Sequence, residues 1–115
     1  MFDVEALFGL IEFPADDPDR ARRFWSGLLG IEIAERSQQV EGRGWQTRSG
    51  APVLGIHERG AGPGDTASLP YFTVAHMEAA LEQVTALGGS VIHPGARWSI
   101  CRDSEGSPFG LATRP

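Results

Sequence analysis

The 115-residue sequence contains one cysteine, Cys101, and it lacks basic clusters and long apolar runs. A single cysteine excludes an internal disulfide and is typical of proteins in a reducing cytoplasm. The apolar run over residues 6–11 is too short for a membrane span or a signal-peptide core, and no basic segment precedes it. We therefore predict a cytoplasmic protein that does not associate with membranes.

Positive charge is also scarce. Ten Lys and Arg residues against 15 Asp and Glu residues give a net charge of -5, which argues against nucleic acid as a partner and mildly favours a cationic or neutral ligand. The hydrophobic content of 41% is ordinary for a globular protein. A chain of this length can bury the core of one compact domain without a disulfide or a structural metal.

A repeated segment is the strongest internal signal. Residues 13–33 recur in weaker form as residues 72–92, and the identical positions are Phe13/Phe72, Ala21/Ala80, Leu28/Leu87, Gly30/Gly89 and Ile33/Ile92. Both copies predict the end of a strand, a turn, an amphipathic helix that stops at glycine, and another strand. Two copies are too few for a solenoid, so the repeat indicates two similar halves with a cleft where they meet.

The first half contains a well-marked helix start. Asp16 or Asp17 can cap a helix that begins at Pro18, and Gly30 supplies its end. Apolar residues at helical spacing predict one buried helix face, formed by Ala21, Phe24, Trp25, Leu28 and Leu29. Strands are predicted over residues 6–13, 31–34, 44–48 and 53–57.

The second half repeats this order. Strands are predicted over residues 69–74, 90–93, 97–102 and 108–113, and a helix over 77–87, whose apolar positions are Met77, Ala80, Leu81, Val84 and Leu87. We therefore predict an α+β fold of two βαβββ halves, residues 5–58 and 69–114, joined by a Gly- and Pro-rich linker over 59–68. Helices would cover one sheet face, and the other face would form a concave cleft.

Several segments resemble the vicinal oxygen chelate superfamily, which includes glyoxalase I, bleomycin-resistance proteins and extradiol dioxygenases. The similar segments are FPADDPDRARRFW at 13–25, LLGIEI at 28–33, LPYFTV at 69–74 and DSEGSPFGL at 103–111. The resemblance spans almost the whole chain. It implies a single domain with a glyoxalase-like open barrel, and a homodimer.

The resemblance also implies a metal site, with a His, Glu or Gln ligand on each of four cleft strands. The residues at these positions are Leu10, Gly55, Leu69 and Gly110. None has a side-chain donor, and a divalent cation needs three or four N, O or S ligands. We therefore predict no metal and no cofactor. A displaced site that uses Glu12 and His57 would still need a third ligand.

The expected cleft face carries the candidate ligand-binding residues Glu12, Trp45, His57, Tyr71, Thr73 and Trp98. Glu12 is the candidate catalytic acid or base, since burial would raise its pKa; the alternative is an ion pair with Arg97 or Arg43. Tyr71 is a candidate ligand hydrogen-bonding or orienting group, or else a packed sheet aromatic. Either Trp45 or Gln46, and either Trp98 or Arg97, lies near the cleft. Trp45 and Trp98 could stack on a planar ligand or pack between monomers, and packing is slightly favoured.

Two functions follow from this site. The first is a metal-independent binding protein, a homodimer that binds or sequesters an apolar or aromatic metabolite or drug, as the resemblance to bleomycin-resistance proteins implies. The second is an enzyme of the lyase, isomerase or dioxygenase type. It would use metal-free acid/base chemistry from Glu12 and Tyr71, or a displaced metal site.

Overall fold

The computed structural model describes residues 6–35, 44–47, 54–62 and 64–113. The elements in this part of the chain are β1 (Ala6–Ala15), α1 (Pro18–Leu29), β2 (Ile33–Glu35), β3 (Trp45–Thr47), β4 (Leu54–Glu58), β5 (Leu69–Val74), α2 (Met77–Ala86), β6 (Ser90–His93), β7 (Trp98–Arg102) and β8 (Pro108–Thr113). This order confirms the α+β class with two βαβββ repeats. The predicted strand ends at Arg48 and Val53, and the predicted partner Arg43, lie outside the described residues.

The described chain divides into two compact units at Gly9/Leu10 and at Ser68/Leu69. The first unit contains the described residues of 10–68, and the second contains 6–9 together with 69–113. Within the described residues, neither helix is long and apolar enough to cross a membrane.

The first unit is built on four strands in the order β2-β3-β4-β1. β1 and β4 are parallel, whereas β3 is antiparallel to both β4 and β2. A core cluster forms on one face of these strands. Its buried residues are Ala15, Ile33, Leu54 and Ile56, and the partly buried residues packed against them are Phe13, Ala21, Trp25, Ile31 and Trp45.

The ends of α1 follow the predicted capping chemistry. Asp17 has an extended backbone and is the N-cap, and its Oδ1 accepts a hydrogen bond from the Arg20 N–H at 3.1 Å. Pro18 occupies the first turn, where its missing N–H carries no cost. Gly30 closes the helix with φ of 67°, a left-handed conformation that favours glycine.

The predicted buried face of α1 is wrong for three of its five residues. Ala21 and Trp25 pack on the core of the first unit, but Phe24, Leu28 and Leu29 are exposed, Phe24 by 58% and Leu28 by 64%. Phe24 instead packs edge-to-face on Trp25, with ring centroids 5.2 Å apart.

The second unit contains four strands in the order β5-β8-β7-β6, with β5 and β8 parallel and the other pairs antiparallel. Its buried core residues are Val74, Met77, Ala80, Cys101 and Leu111. Asp103 holds the turn between β7 and β8, because its Oδ1 accepts hydrogen bonds from the N–H groups of Glu105 and Ser107, both at 2.9 Å. Gly106 takes the positive φ in this turn.

The second helix ends one residue earlier than predicted. Leu87 is the C-cap rather than a helical residue, and its side chain is 69% exposed instead of buried. Gly88 follows with φ of 96°. At the other end, His76 occupies the N-cap position but forms no side-chain cap hydrogen bond.

Candidate functional site

One face of the second unit carries three of the predicted site residues. Tyr71 and Thr73 alternate along β5 with Phe72 and Val74, which pack toward α2. Tyr71 pairs with Gly110, and Thr73 pairs with Ala112, whose partner on β7 is Trp98. This face, opposite α2, is called the tyrosine face; its residues are Leu69, Tyr71, Thr73, Trp98, Ile100, Gly110 and Ala112.

The Tyr71 ring lies directly over Gly110. A β-carbon placed on Gly110 would meet the ring atoms Cδ2, Cε2 and Cζ of Tyr71, the last at 2.6 Å. No side chain fits at position 110 while the ring stays there. The position at which the superfamily resemblance calls for a glutamate ligand is therefore filled by an aromatic ring from the neighbouring strand.

Trp98 has a partner of its own on the tyrosine face. Its ring stacks on His93, the last residue of β6, with centroids 4.7 Å apart and planes 24° from parallel. Both side chains are partly buried. The sequence left open whether Trp98 stacks on a ligand or packs between monomers; the structure shows that one side of the indole packs on His93.

In the first unit, Glu12 is the central polar residue. Its side chain is 7% exposed, and Glu12 pairs with Gly55 on β4, which in turn pairs with Gln46 on β3. His57 lies two residues further along the same face, partly buried, and its Nδ1 is 3.0 Å from the Glu58 carbonyl oxygen. We call the face formed by Glu12, Pro14, Gln46, Gly55 and His57 the glutamate face.

Trp45 lies on the other face of the same strands. It pairs with Ile56 and packs with the core cluster on the α1 side. A one-residue step along a strand reverses the side-chain direction, so the register places Gln46, and not Trp45, on the same face as Glu12. The structure thus resolves the choice that the sequence left open.

The four expected ligand positions offer no metal donors. Leu10 and Leu69 have aliphatic side chains, and Gly55 and Gly110 are buried glycines. Among the described residues, no group of three or more His, Cys, Asp or Glu side chains lies close enough together to hold a metal ion. The residues present at these positions do not fit a divalent cation, which requires several such donors at about 2.0–2.6 Å.

Sequence reasoning missed one polar group on the α2 side of the second unit. Gln83 is one of the residues that line an apolar pocket there, and its Oε1 is buried without a hydrogen-bond partner in the described structure. The signal in the sequence is a glutamine placed three residues after Ala80, on the helix face that is otherwise apolar.

Comparison with known proteins agrees with the observed architecture. A crystal structure of an uncharacterized, hypothetical protein from Methanosarcina mazei is similar over 94% of each chain, with 17% sequence identity and a TM-score of 0.56. At this identity the likeness supports the fold alone. No curated protein matches the chain. Residues 10–112, which include parts or all of every element from β1 to β8, match the family described as glyoxalase-like domain. The chain therefore belongs to the glyoxalase-like domain family, with a fold of the vicinal oxygen chelate type.

Proposed function

We propose that this protein binds an apolar or aromatic small molecule, a metabolite or a drug, without a divalent metal ion. The observation that carries the proposal is the Tyr71 ring over Gly110. An aromatic ring with a hydroxyl group fills the space beside Gly110, where the superfamily resemblance predicts a metal-ligating carboxylate. Such a ring can stack on a ligand and hydrogen-bond it, but it cannot replace the missing donor set.

The composition of the tyrosine face supports this class of ligand. The partly exposed rings of Tyr71 and Trp98 provide apolar surface, whereas Leu69 and Ile100 on the same face are buried. The Thr73 hydroxyl and the Tyr71 phenol provide orienting polar groups. Small-molecule sites combine apolar walls with a few such groups. The net charge of -5 favours a cationic compound among the candidates. The lone buried Cys101 supports a cytoplasmic location as part of the proposal.

Isothermal titration against cationic and neutral aromatic natural products tests the proposal. Thr73→Val and Tyr71→Phe each remove one hydroxyl and keep the shape, so each should weaken binding by roughly 3- to 10-fold, the range for one net hydrogen bond. Thr66→Val is the matched control, since Thr66 is exposed in the loop before β5. Absence of both heat and thermal stabilisation across the panel would contradict the proposal.

An enzyme is the second candidate, and the buried carboxylate of Glu12 favours it. A carboxylate that is only 7% exposed can act as a general acid or base in metal-free lyase or isomerase chemistry. Glu12→Gln separates the two functions: loss of turnover in a glyoxalase or isomerase assay, with ligand binding retained, supports the enzyme. A protein that binds but never turns over its ligands supports the first proposal.

We also propose that two copies of the chain associate. The exposed side chains of Phe24, Leu28 and Leu29 on α1 support this, because contiguous exposed apolar residues mark interaction surfaces. Sedimentation equilibrium of Leu28→Glu should show more monomer than the wild type. Arg23→Glu, on the same helix and also exposed, is the control and should leave the mass unchanged. A monomeric wild type at all concentrations would contradict the proposal.

A further inference from the structure

A pocket of about 370 Å³ lies on the α2 side of the second unit, away from the tyrosine face. Residues of β5 and β8 form its floor, and α2 forms its wall. The apolar side chains that line it are Phe72, Val74, Ala80, Val84, Phe109 and Leu111. Its size and its lining are those of small-molecule sites in proteins.

Gln83 is the only residue with a polar side chain among those that line the pocket. Its amide oxygen Oε1 is buried and accepts no hydrogen bond within the described structure. A buried carbonyl oxygen without a donor is unfavourable, since it has lost its hydrogen bonds to water and gained none. A rotation of the Gln83 amide toward the pocket would expose this oxygen, and a ligand N–H or O–H group could then restore the missing bond.

The lining also restricts the charge of the ligand. No ionisable side chain contributes to the pocket, so a charged group placed inside would be desolvated without a counterion. Two aromatic rings are present instead: Phe72 and Phe109 meet edge-to-face, with centroids 6.2 Å apart. Such rings favour an aromatic guest over a purely aliphatic one.

The pocket has an open side through which a ligand can enter. Leu87, at the C-cap of α2, and Ala6, at the start of β1, complete the lining, and both are exposed. Leu87 therefore lies just beyond the last helical residue and at the edge of the pocket.

We propose that this pocket is a second ligand site, which binds a small neutral aromatic molecule with one hydrogen-bond donor directed at Gln83 Oε1. The site is distinct from the tyrosine face, because Phe72 lines the pocket and Tyr71, one residue before it, points to the opposite side of β5. The proposal does not depend on the function proposed above.

Indole and benzofuran test the donor directly, since benzofuran has the same bicyclic shape with an oxygen in place of the N–H. We would titrate each into the full-length protein labelled with nitrogen-15 and follow the backbone amide shifts. Indole should shift the amides of Phe72, Val84 and Phe109, and it should bind roughly 3- to 10-fold more tightly than benzofuran, the effect of one net hydrogen bond.

Variants of α2 then assign the preference to one atom. Gln83→Leu removes the acceptor while it keeps the bulk, so indole and benzofuran should bind it equally. Glu82→Gln, exposed on the same helix, is the control and should retain the preference. Val84→Phe should fill the pocket and block binding of both compounds, and circular dichroism checks that this variant folds. If Val84→Phe does not fold, the comparison of indole and benzofuran binding to Gln83→Leu still tests the proposal.

Several outcomes would overturn the proposal. If the wild type binds the two compounds equally, or binds benzofuran more tightly, Gln83 Oε1 does not accept a hydrogen bond from the ligand. Shifts confined to the tyrosine face place the ligand elsewhere. Concentration-dependent shifts of the pocket amides without any ligand would show that another copy of the chain occupies the pocket.

Discussion

Tyr71 and Gly110 are cross-strand neighbours, and the ring of the first occupies the side-chain space of the second. Gly110 is buried, and a β-carbon there would come within 2.6 Å of the tyrosine Cζ and closer to two other ring atoms. The ring can keep this position only if residue 110 is a glycine. An aromatic ring therefore fills the position where the superfamily resemblance predicts a glutamate ligand.

We expect Gly110→Ala to lower the free energy of unfolding by about 1–3 kcal/mol, the usual cost of overpacking a buried site. The added methyl group must displace the Tyr71 ring from its position on the sheet. Urea denaturation followed by circular dichroism measures the change.

The Tyr71→Ala background is the control for this prediction. Without the ring, the same glycine substitution should cost clearly less, and the double-mutant cycle should give a coupling between the two positions. Additive effects of the two substitutions would show that the ring does not exclude a side chain at position 110.

Metal removal should leave the protein unchanged. Leu10, Gly55, Leu69 and Gly110 provide no donor atoms, so EDTA should not lower the melting temperature, and added Ni²⁺ or Zn²⁺ should not raise it. Elemental analysis of protein purified without chelator gives the independent measurement. A stoichiometric Ni, Zn or Fe content would contradict the metal-free site.

Much of the secondary structure could be predicted because local signals bound each element. β5, β6 and β8 have the predicted ends, at Leu69–Val74, Ser90–His93 and Pro108–Thr113. The start of α1 follows from the adjacent Asp17 and Pro18. These signals act through backbone chemistry within a few residues, and tertiary contacts did not change them.

The features that the sequence did not predict depend on partners far along the chain. The exposure of Phe24 depends on which side of α1 contacts the core cluster of the first unit. The direction of Trp45 depends on a strand register that a one-residue slip reverses. The unsatisfied oxygen of Gln83 depends on which side chains surround it. Periodicity in a single sequence carries none of this information.

Alanine substitutions at two glycines near the C-terminal end of α1 should change the free energy of unfolding in opposite directions. Gly27 is inside the helix with no atom within 4 Å of an added β-carbon, so Gly27→Ala should stabilise the protein by about 0.5–1 kcal/mol. Gly30→Ala should destabilise it by about 1–2 kcal/mol, because the residue has φ of 67°. Thermal and urea unfolding of both variants check the pair; equal signs would contradict the observed helix end.

The N-terminal cap of α1 gives a second pair of variants. Asp17→Ala removes the acceptor of the Arg20 N–H and should cost about 1 kcal/mol, whereas Asp17→Ser keeps a capping oxygen and should cost much less. Asp16→Ala is the control. Asp16 forms an exposed ion pair with Arg59 at 2.8 Å, and such pairs contribute about 0–1 kcal/mol. A larger loss of stability in Asp16→Ala than in Asp17→Ala would show that Asp17 is not the N-cap.

Cys101 should be unreactive in the native state. Its side chain is fully buried in the core of the second unit, and burial raises the pKa of the thiol above its ordinary value of 9.0 because the thiolate would be desolvated. A raised pKa in the folded state means that the unfolded chain loses its proton first. The thiol's contribution to stability is complete below the unfolded pKa, and it is lost as the pH rises through the folded pKa.

At pH 8, a disulfide reagent such as DTNB should label Cys101 in the native protein far more slowly than in the protein unfolded by guanidinium chloride. Between pH 8 and 10, the stability of the wild type relative to Cys101→Ala should fall. Rapid native labelling, or a pH-independent difference, would contradict a buried thiol.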